Sequence, residues 1–362
     1  MRILQINKYY YPDIGGVESV VKQYAENIDE RFDVTVLCVK KDFSIKTRLE
    51  TINGVKVIRC ASFGTFFSMP VSLVFILRFL RNYKQFDILH FHEPFPLASL
   101  LSLIIGKKSK IIITWHSDII KQKLLKKFVE VFQKKLCRKA TLITTTSPNM
   151  LDFSGTLRAF KNKVYILPLS IPTNRSISKS DNNYILSLGR LSYYKGIDVL
   201  LNAYETADTN MELRIVGDGD KEIAERISEQ CKRTKKKIVF LNNFVTEEEK
   251  NQLFTNCSFF VLPSIAASEA FAIIQLEAMI YGKAVINTNL PTGVPYVSIH
   301  NSTGLTVIPN NYKALAKAMD KLAINPNLRK RFGEKGHERA VNHFSDKVII
   351  RKLEELYLEI AK

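Results

Sequence analysis

The feature that most constrains the fold is an alternation of strand-length and helix-length segments that starts again halfway along the chain. Runs rich in Val, Ile and Leu are followed by amphipathic stretches, which is typical of βαβ units in parallel sheets. The segment from Pro168 to Asn183 interrupts this alternation with the Pro, Ser and Asn content of a linker. We therefore predict an α/β protein with domains over residues 1–172 and 173–344, and a final helix over 345–362 that crosses back to the first domain.

The predicted strands of the first half are 2–7, 33–39, 55–60, 87–91, 110–115, 142–145 and 164–167. Its predicted helices lie near 17–28, 71–83 and 121–138. In the second half the predicted strands are 184–188, 213–216, 238–241, 259–262 and 284–286, each followed by a helix-length segment.

The composition is that of a globular protein, since 46% of the 362 residues are hydrophobic and 24% are charged, and it excludes a fibre or a disordered tail. The longest apolar runs, 70–80 and 96–106, are shorter than the about 20 residues that span a bilayer. The five cysteines form no C-x-x-C pair, so neither a disulfide framework nor a zinc site is expected. The polar, charged N-terminus argues against a signal peptide and favours a cytoplasmic protein.

The net charge of +18 is concentrated in the first half of the chain. Residues 1–175 contain 28 Lys and Arg against 13 Asp and Glu, a net charge of +15. Residues 176–362 contain 25 against 22, a net charge of +3. A basic domain beside a nearly neutral one predicts an anionic partner for the first half and a different partner for the second.

A pair of glycines follows the first predicted strand, in the sequence YYPDIGGVESVV. Gly15 and Gly16 precede a helix-length segment, so the backbone could approach a phosphate while free amides at the helix start face the anion. The third glycine of a G-x-G-x-x-G motif is missing, which disfavours a dinucleotide site. Taken alone, these residues fit a phosphate loop and a plain turn before a helix equally well.

Charged residues of both signs follow two predicted strands of the second half. Arg190 and Lys195 lie in SLGRLSYYKG, where two cations could hold a diphosphate, although loop cations are usually solvated. Glu269 and Glu277 stand eight residues apart in SEAFAIIQLEAM, the first in a loop and the second in a helix. Because open parallel sheets bind ligands at the carboxyl ends of their strands, these residues are candidates for one site.

The glutamate, the phenylalanine between small residues and the second glutamate after seven residues resemble the nucleotide-sugar signature of retaining GT-B glycosyltransferases of family 4. Other segments fall in that family's order along the whole chain, namely YYPDIGGVESVV, GRLSYYKG, LRIVGDGD, LNNFVTEEE and TGLTV. The resemblance implies a GT-B fold, in which two Rossmann-like, doubly wound domains face a central cleft. It also implies an enzyme, a hexosyltransferase whose donor is a UDP- or GDP-hexose.

The resemblance further implies roles for the matching residues. Arg190 and Lys195 would neutralise the donor diphosphate and stabilise charge on the departing nucleotide. His116, in TWHSD, and Glu269 would contact the donor sugar, and Glu277 would accept hydrogen bonds from the ribose. The remaining donor contacts would come from Gly15, Gly16, Gly217, Asp218, Asn243, Phe244, Phe271, Ala272 and Ile273.

Three positions depart from the family pattern. Ala270 and Ala272 flank the phenylalanine where the family usually has glycine, and Asn243 often is glycine as well. The larger side chains are expected to narrow the donor-sugar pocket.

No metal or other cofactor is expected. Asp218-Gly219-Asp220 imitates a D-x-D metal motif, but it follows a strand and opens a helix, where Asp220 serves better as an N-terminal cap. The resemblance implies that the departing phosphate oxygen deprotonates the acceptor on the same face of the sugar. A covalent route would need a second carboxylate near Glu269, for which Asp118 is the remote candidate.

Residues 121–139, KQKLLKKFVEVFQKKLCRK, form a basic amphipathic segment. Its apolar residues, Leu124, Leu125, Phe128, Val131, Phe132 and Leu136, are expected to cover the sheet of the domain. Its basic face is expected to contact an anionic membrane at about 1 kcal/mol per basic residue, through Lys121, Lys123, Lys126, Lys127, Lys134 and Lys135.

A membrane-facing basic domain predicts a cytoplasmic protein bound peripherally to the inner face of the cell membrane. It also predicts a lipid-linked saccharide acceptor carried on polyprenyl diphosphate, as in family members that build O-antigen, capsule or other surface polysaccharide.

Two other functions stay open. A nucleotide-sugar epimerase of the same fold would need neither an acceptor nor a strongly basic domain. A non-catalytic basic protein that binds nucleic acid or other anions fits the charge, but the chain contains no recognised nucleic-acid motif, so no nucleic-acid partner is predicted. Nothing in the sequence indicates the oligomeric state.

Overall fold

The computed structural model describes residues 1–13, 15–66, 69–106, 108–119 and 123–362, and of residues 123–126 only the helix to which they belong. The chain divides into two compact units, residues 1–170 with 346–362 and residues 171–345. Each unit has a parallel sheet of its own, which confirms the prediction of two α/β domains.

The sheet of the first unit is parallel except at one edge. Its strands are β1 (Arg2–Ile6), β2 (Asp33–Val39), β3 (Arg48–Ile52), β4 (Val55–Cys60), the separate hairpin β5 (Thr65–Phe66) and β6 (Met69–Pro70), then β7 (Ile88–Glu93), β8 (Lys110–Trp115), β9 (Leu142–Thr145) and β10 (Val164–Ile166). The order is β10-β9-β8-β7-β1-β2-β4-β3, with β3 antiparallel to β4. The chain runs outward from β1 to β2 and β4 and returns on the other side at β7, so the switch point lies between β1 and β7.

In the described part of residues 1–170, three helices begin at a serine whose side chain accepts a hydrogen bond from an amide of the first turn. The helices of this part are α1 (Gly16–Glu26), α2 (Leu73–Asn82), α3 (Pro96–Ser99), α4 (Lys123–Lys139), α5 (Pro148–Phe153) and α6 (Gly155–Ala159), and the three that begin at a serine are α2, α5 and α6. Ser72 and Ser147 accept hydrogen bonds from the first turns of α2 and α5, and each is a residue type preferred at that position.

The sheet of the second unit is wholly parallel in its registered pairs. Its strands are β11 (Tyr184–Leu188), β12 (Glu212–Val216), β13 (Ile238–Leu241), β14 (Phe259–Val261), β15 (Ala284–Thr288) and β16 (Gly304–Val307), in the order β13-β12-β11-β14-β15-β16. The order reverses between β11 and β14, which is where such a sheet opens a crevice for a ligand.

The helices of the second unit pack on this sheet around a core that includes Leu200, Phe259, Ile286 and Met319. They are α7 (Ile197–Thr206), α8 (Lys221–Arg233), α9 (Glu247–Asn256), α10 (Ile274–Ile280), α11 (Val294–Val297), α12 (Tyr312–Ala323) and α13 (Pro326–Phe344).

The final helix, α14 (Asp346–Ala361), belongs to the first unit. The Tyr357 hydroxyl is 2.6 Å from His90 Nδ1 in the core, and Lys110 Nζ donates to the Ile360 carbonyl oxygen at 2.7 Å. Asp346, at the helix start, accepts a hydrogen bond from Gln23 of α1.

The predicted strands are all present with ends shifted by a few residues, but the sequence did not predict β3, the β5–β6 hairpin or β16. The sequence of β3, RLETI, is mostly exposed at the sheet edge, so it lacks the apolar run that marks a buried strand. Among the described residues, no helix is both long and apolar enough to cross a membrane.

Candidate active site

In the second unit, the loops that follow β11 and β12 join through their backbones. The amides of Gly189 and Leu191 donate to the carbonyl oxygens of Val216 and Asp218, at 3.0 and 2.7 Å. Gly217 has a φ of +145°, and a Cβ on it would collide with the Gly189 carbonyl oxygen. The contact between the two loops therefore requires glycine at this position.

Arg190 and Lys195, the two cations predicted to bind a diphosphate, both lie in the loop after β11. Lys195 Nζ is 2.6 Å from Oε2 of Glu269, and both side chains are largely buried. Ser264 donates to the same carboxylate oxygen at 2.9 Å. Arg190 is exposed, lines a small cavity with Lys195 and Pro263, and has no ion-pair partner within the described residues. The structure thus brings Arg190, Lys195 and Glu269 together at the switch point between β11 and β14.

The segment after Glu269 is held in an unusual backbone conformation. Ala272 lies in the left-handed region with a φ of +63°, which is costly for a residue with a Cβ. Consequently α10 begins only at Ile274, after the left-handed residue. In the part of the chain that the structure describes, the amides of Phe271, Ala272 and Ile273 have no hydrogen-bond acceptor, so they are available to a ligand.

The loop after β15 anchors this segment. Thr292 donates its hydroxyl hydrogen to the Glu269 carbonyl oxygen at 2.6 Å, and the Gly293 amide donates to the Ala270 carbonyl oxygen at 2.8 Å. These bonds fix the backbone on which the Glu269 carboxylate is mounted.

Glu277 lies on α10 and forms an ion pair with Lys250 of α9, at 2.8 Å. Lys250 also contacts Glu247 at 2.7 Å. Burial alone would lower the pKa of Lys250, but the two carboxylates outweigh burial and raise it. The three side chains line a small cavity of about 90 Å³ together with Arg175 and Tyr281. A ligand hydroxyl that reaches Glu277 would therefore compete with a lysine.

The other predicted donor contacts lie in loops at the same edge of the sheet. Asp220 caps α8 by accepting hydrogen bonds from two amides of its first turn, at 3.1 and 3.4 Å, as the sequence predicts. Asp218 is exposed beside it, and Asn243 and Phe244 are exposed in the loop after β13.

In the first unit, Gly15 is the N-cap of α1 and Gly16 is its first residue. Gly15 has extended backbone with a φ of −173°, so its conformation does not itself require glycine. A Cβ on Gly15 would, however, meet the carboxylate of Glu18, which lies against the start of the helix. An acidic side chain already occupies this position, and a phosphate would have to displace it.

Arg59, buried on β4, fixes the segment that leads into the glycine pair. Its guanidinium donates to the carbonyl oxygens of Tyr10 and Tyr11 at 3.0 and 2.6 Å, and to Glu50 at 2.8 Å. Sequence analysis did not identify Arg59, because no local pattern links β4 to the loop after β1.

His116, the predicted contact to the donor sugar, immediately follows β8 and belongs to a row of buried histidines. Its Nε2 is 3.0 Å from Nδ1 of His92, and the two ring planes are inclined by only 18° with centroids 5.3 Å apart. The ring of His90 stacks on that of His92 with centroids 4.5 Å apart. His90 is itself held by Tyr357 and by Thr114, whose hydroxyl is 2.7 Å from Nε2.

Burial sets the protonation of this row. It lowers the pKa of His90 and of His116 to about 3, and it lowers the pKa of His92 well below the usual range. Burial raises the pKa of the neighbouring Glu93 to about 7, although Glu93 accepts hydrogen bonds from Phe95, Ser99 and Gln133. The three imidazoles are therefore neutral at pH 7.

Sequence analysis missed His90, His92 and Glu93. For the histidines a signal was present in ILHFHE, where His90 and His92 stand two residues apart in a strand that is buried throughout. Glu93 follows His92 directly. Asp118, the candidate second carboxylate, accepts hydrogen bonds from Trp115 Nε1 and Ser154, at 2.9 and 2.8 Å, within the first unit.

The basic helix α4 differs from its prediction in which apolar residues face the core. Val129, Gln133, Leu136 and Cys137 are buried, whereas Phe128 and Val131, predicted to cover the sheet, are 63% and 61% exposed. The reason is helical geometry, since residues 129, 133, 136 and 137 form one stripe and the two exposed residues lie outside it.

Of the lysines predicted for the membrane, Lys127 is exposed, Lys134 pairs with Glu130 at 2.7 Å and Lys135 is half-buried. Lys121 and the side chains of Lys123 and Lys126 lie outside the described residues.

A second apolar surface is exposed on α2. Leu73, Leu77 and Leu80 follow one another along one side of the helix and are 63%, 49% and 42% exposed, while Phe75 and Phe79 on the other side are buried. We call these three leucines the leucine ridge. Arg81 and Lys84 are exposed beside it, so the ridge combines apolar and basic groups.

Comparisons with known proteins cover both halves of the chain. The family described as Glycosyltransferase Family 4 matches residues 14–175, and the family described as Glycosyl transferases group 1 matches residues 172–339. O-antigen chain mannosyltransferase C of Escherichia coli is 30% identical over 100% of this chain and 99% of its own length. D-rhamnosyltransferase WbpZ of Pseudomonas aeruginosa is 28% identical over 94% of this chain and 91% of its own length.

Solved structures show the same fold at low sequence identity. Sucrose-phosphate synthase from Thermosynechococcus elongatus matches with a TM-score of 0.81 and 19% identity, over 99% of this chain and 98% of that one. HepE of Anabaena, solved in complex with UDP and glucose, matches with a TM-score of 0.76 and 16% identity, over 99% and 100% of the two chains. Because the relative from E. coli extends along the whole chain and the two families cover both halves, the protein belongs to the family 4 glycosyltransferases (glycosyl transferases group 1) and is a glycosyltransferase with the GT-B fold.

Proposed function

We propose that this enzyme transfers a hexosyl group from a UDP- or GDP-hexose to a lipid-linked saccharide on polyprenyl diphosphate, with retention of the anomeric configuration. The observation that carries the proposal is the cluster of Arg190, Lys195 and Glu269 at the switch point of the second sheet. The names of the two relatives, an O-antigen mannosyltransferase and a D-rhamnosyltransferase, support a role in surface polysaccharide synthesis. Mannose and D-rhamnose share the manno configuration, so a manno-configured hexose is the first sugar to test.

The two cations act on the diphosphate. Arg190 is exposed without an ion-pair partner in the described residues, and Lys195 is held in place by Glu269 at 2.6 Å. Both stabilise the negative charge that develops on the nucleotide as the bond to the sugar breaks. The free amides of residues 271–273 donate hydrogen bonds to the nucleotide-sugar. Glu277 exchanges its lysine partner for the hydroxyls of the nucleotide ribose.

The transfer itself breaks the bond between the anomeric carbon and the phosphate oxygen and forms a bond to the acceptor oxygen on the same face. The acceptor proton passes to the departing phosphate oxygen, so the chain supplies no nucleophile. Arg190 and Lys195 provide the charge that a metal ion would otherwise bring, and we propose that no metal is required. His116 contacts the transferred sugar.

Calorimetric titration with UDP and with GDP, in the presence of EDTA, tests the donor site. We expect wild type to bind one of the two nucleotides and Glu277→Gln to bind it at least tenfold more weakly, the effect of losing a charge-assisted hydrogen bond of about 1.4 kcal/mol or more. Glu247→Gln is the matched control, because Glu247 contacts the same lysine but is 82% exposed. An equal loss of nucleotide affinity in both variants would refute the proposed donor site. So would wild type that binds neither nucleotide.

A transfer assay separates the enzyme classes. GDP-mannose, GDP-D-rhamnose and UDP-glucose are incubated with and without a polyprenyl-diphosphate-linked saccharide, and the anomeric configuration of the product is read by NMR. The proposal predicts a product only with the acceptor, with the configuration of the donor. Conversion of the sugar without an acceptor would identify an epimerase instead.

We further propose that the first unit rests on the inner leaflet of the cell membrane, where a lipid-linked acceptor is located. The leucine ridge places three exposed leucines next to exposed basic residues, and Phe128 and Val131 of α4 are exposed as well. Apolar groups insert into the headgroup region while basic groups attract anionic lipids, and the two effects add.

Vesicle co-sedimentation tests this location. Vesicles with phosphatidylglycerol should bind wild type in a salt-dependent way, and Leu73→Gln/Leu77→Gln/Leu80→Gln should bind at least tenfold more weakly. Ile324→Gln is the matched control, since Ile324 is 82% exposed but lies in the second unit. Unchanged binding by the triple variant would refute the role of the leucine ridge, and no binding by wild type would refute the membrane location.

A further inference from the structure

The row of histidines in the first unit contains one ring nitrogen whose lack of a partner determines where the protons lie. His90 has partners on both ring nitrogens, Tyr357 on Nδ1 and Thr114 on Nε2. His92 shares its Nδ1 with Nε2 of His116 at 3.0 Å. The other nitrogen of His92, Nε2, is buried and has no hydrogen-bond partner among the described residues.

A neutral imidazole carries one N–H and one acceptor nitrogen, so the hydrogen bond between His92 and His116 has two possible arrangements. If His116 Nε2 carries its proton, this N–H donates a hydrogen bond to His92 Nδ1, and the proton of His92 must lie on Nε2. A buried N–H is then left without an acceptor. If His92 Nδ1 carries the proton, the unpaired Nε2 is only a lone pair. An orphaned buried donor is rarer and costlier than an under-satisfied acceptor, which favours the second arrangement.

We infer that His92 is a positioning residue that holds His116 in the Nδ1–H tautomer, so that His116 offers the transferred sugar a hydrogen-bond donor. The inference rests on the proposed role of His116 as a contact to the sugar. In this tautomer, Nε2 of His116 is already occupied as the acceptor from His92. His116 thus has no free basic nitrogen, and it binds a sugar oxygen without taking the proton of the acceptor hydroxyl.

The surroundings of His92 keep its ring in the plane that this bond requires. His90 stacks on it with centroids 4.5 Å apart and an interplanar angle of 22°. The ring of His116 is inclined to that of His92 by only 18°, so the two rings lie nearly coplanar, edge to edge across the N···N contact. The main chain adds a further constraint, because the His116 amide donates to the Glu93 carbonyl oxygen at 2.9 Å. The sequence places His90 and His92 on the same face of β7, since they are two residues apart in a strand. The row is therefore built into the sheet, and its orientation does not depend on a bound ligand.

Nuclear magnetic resonance of the free enzyme tests the tautomer directly. Two-bond correlations in protein with ¹⁵N-labelled histidine distinguish a protonated ring nitrogen from a bare one, and His116→Gln identifies the signals of His116 among the six histidines. We expect His116 to be protonated at Nδ1 and His92 at Nδ1. A proton on Nε2 of His116 would overturn the inference. This measurement needs no substrate, so its result is independent of whether the proposed transferase activity is found.

A pair of substitutions at position 92 tests the effect on the reaction. The side-chain amide of asparagine can donate from nearly the same position as Nδ1, so His92→Asn keeps the donor, whereas His92→Phe fills the space without one. We expect His92→Asn to retain kcat within about threefold and His92→Phe to lose about tenfold or more, the factor that corresponds to 1.4 kcal/mol of transition-state stabilisation.

The nucleotide affinity of both variants is the control, because UDP and GDP lack the hexosyl group that His116 is proposed to contact. We expect this affinity to be unchanged from wild type. Equal activity of the two variants would overturn the inference, as would a tautomer of His116 that stays the same in His92→Phe. If wild type bound neither nucleotide, the proposed donor site would be refuted, but the NMR measurement would still decide the tautomer of His116.

Discussion

The alanine in the left-handed region beside the candidate donor site allows a prediction in which the sign of the effect depends on one dihedral angle. Ala272 has a φ of +63°, and its side chain is 8% exposed. Replacing it with glycine removes left-handed strain of about 1–2 kcal/mol. The same change adds chain entropy to the unfolded state, at about 0.4–1 kcal/mol, and removes a buried methyl worth about 0.8 kcal/mol. The gain and the two losses nearly cancel, so we expect Ala272→Gly to be close to neutral.

Ala270 provides the matched control two residues away. It is half-buried and does not have a positive φ. Ala270→Gly therefore adds chain entropy to the unfolded state and removes part of a methyl contact, without relief of strain. We expect it to be destabilised by about 1 kcal/mol. The second unit has the size for which 1 kcal/mol corresponds to about 2–4 °C in Tm.

Differential scanning calorimetry of the full chain measures both variants. Ala272→Gly should melt within about 1 °C of wild type, and Ala270→Gly should melt about 3 °C lower. If Ala272→Gly melts as low as Ala270→Gly, the left-handed conformation is not the source of strain and the reasoning is refuted. Nucleotide titration of Ala272→Gly then reports whether the free amides beside it keep their arrangement.

Three further outcomes follow from the contacts. Removing the guanidinium in Arg59→Ala leaves two backbone carbonyls and two carboxylates without their donor, so we expect the free energy of unfolding in urea to fall by about 2–3 kcal/mol. Hydrogen exchange over residues 9–13 should become faster, and an unchanged exchange rate would contradict the anchoring role of Arg59. Lys195→Met should lower the free energy of unfolding by about 3–5 kcal/mol, because it leaves the Glu269 carboxylate buried and unpaired. Adding Glu269→Gln should recover part of that stability, and thermal melts of the single and double variants would show or exclude the recovery. Glu93 has a pKa of about 7 in the folded protein against 4.5 when unfolded, so its contribution to the free energy of unfolding is full below pH 4.5 and is lost as the pH rises through 7. Between pH 6 and pH 8, the free energy of unfolding of wild type should therefore fall by about 1 kcal/mol relative to that of Glu93→Gln, and a difference that does not change with pH would refute the raised pKa.

The sequence predicted most of the strands because buried parallel strands read as continuous apolar runs, as in β8 and β15. The sequence did not predict β3 because this strand, RLETI, is exposed at the edge of the sheet and contains no continuous apolar run. It also misjudged α4, because Phe128 and Val131 are apolar but lie outside the stripe that faces the sheet.

The candidate site also contains residues that the sequence could identify and contacts that it could not. Short segments of sequence contain the cations of the loop after β11 and the pair of glutamates eight residues apart, so local patterns and the family resemblance could identify them. The partners of these residues come from elsewhere in the chain: Lys250 reaches Glu277 from a different helix, and Lys195 reaches Glu269 from a loop more than seventy positions away. No local pattern encodes such pairs, because they depend on which strands become neighbours in the sheet.

By itself, the sequence determined that this chain forms two parallel-sheet domains and that the first is strongly basic, and it pointed to the loops of the candidate donor site. Periodicity, charge and motif spacing are local properties, which is why they could be found in the sequence. Only the tertiary structure decided the row of histidines behind His116, the left-handed conformation at Ala272 and the exposure of the leucine ridge. Each of these depends on burial and on contacts between distant segments, which exist only after the sheet order has brought the strands and helices together.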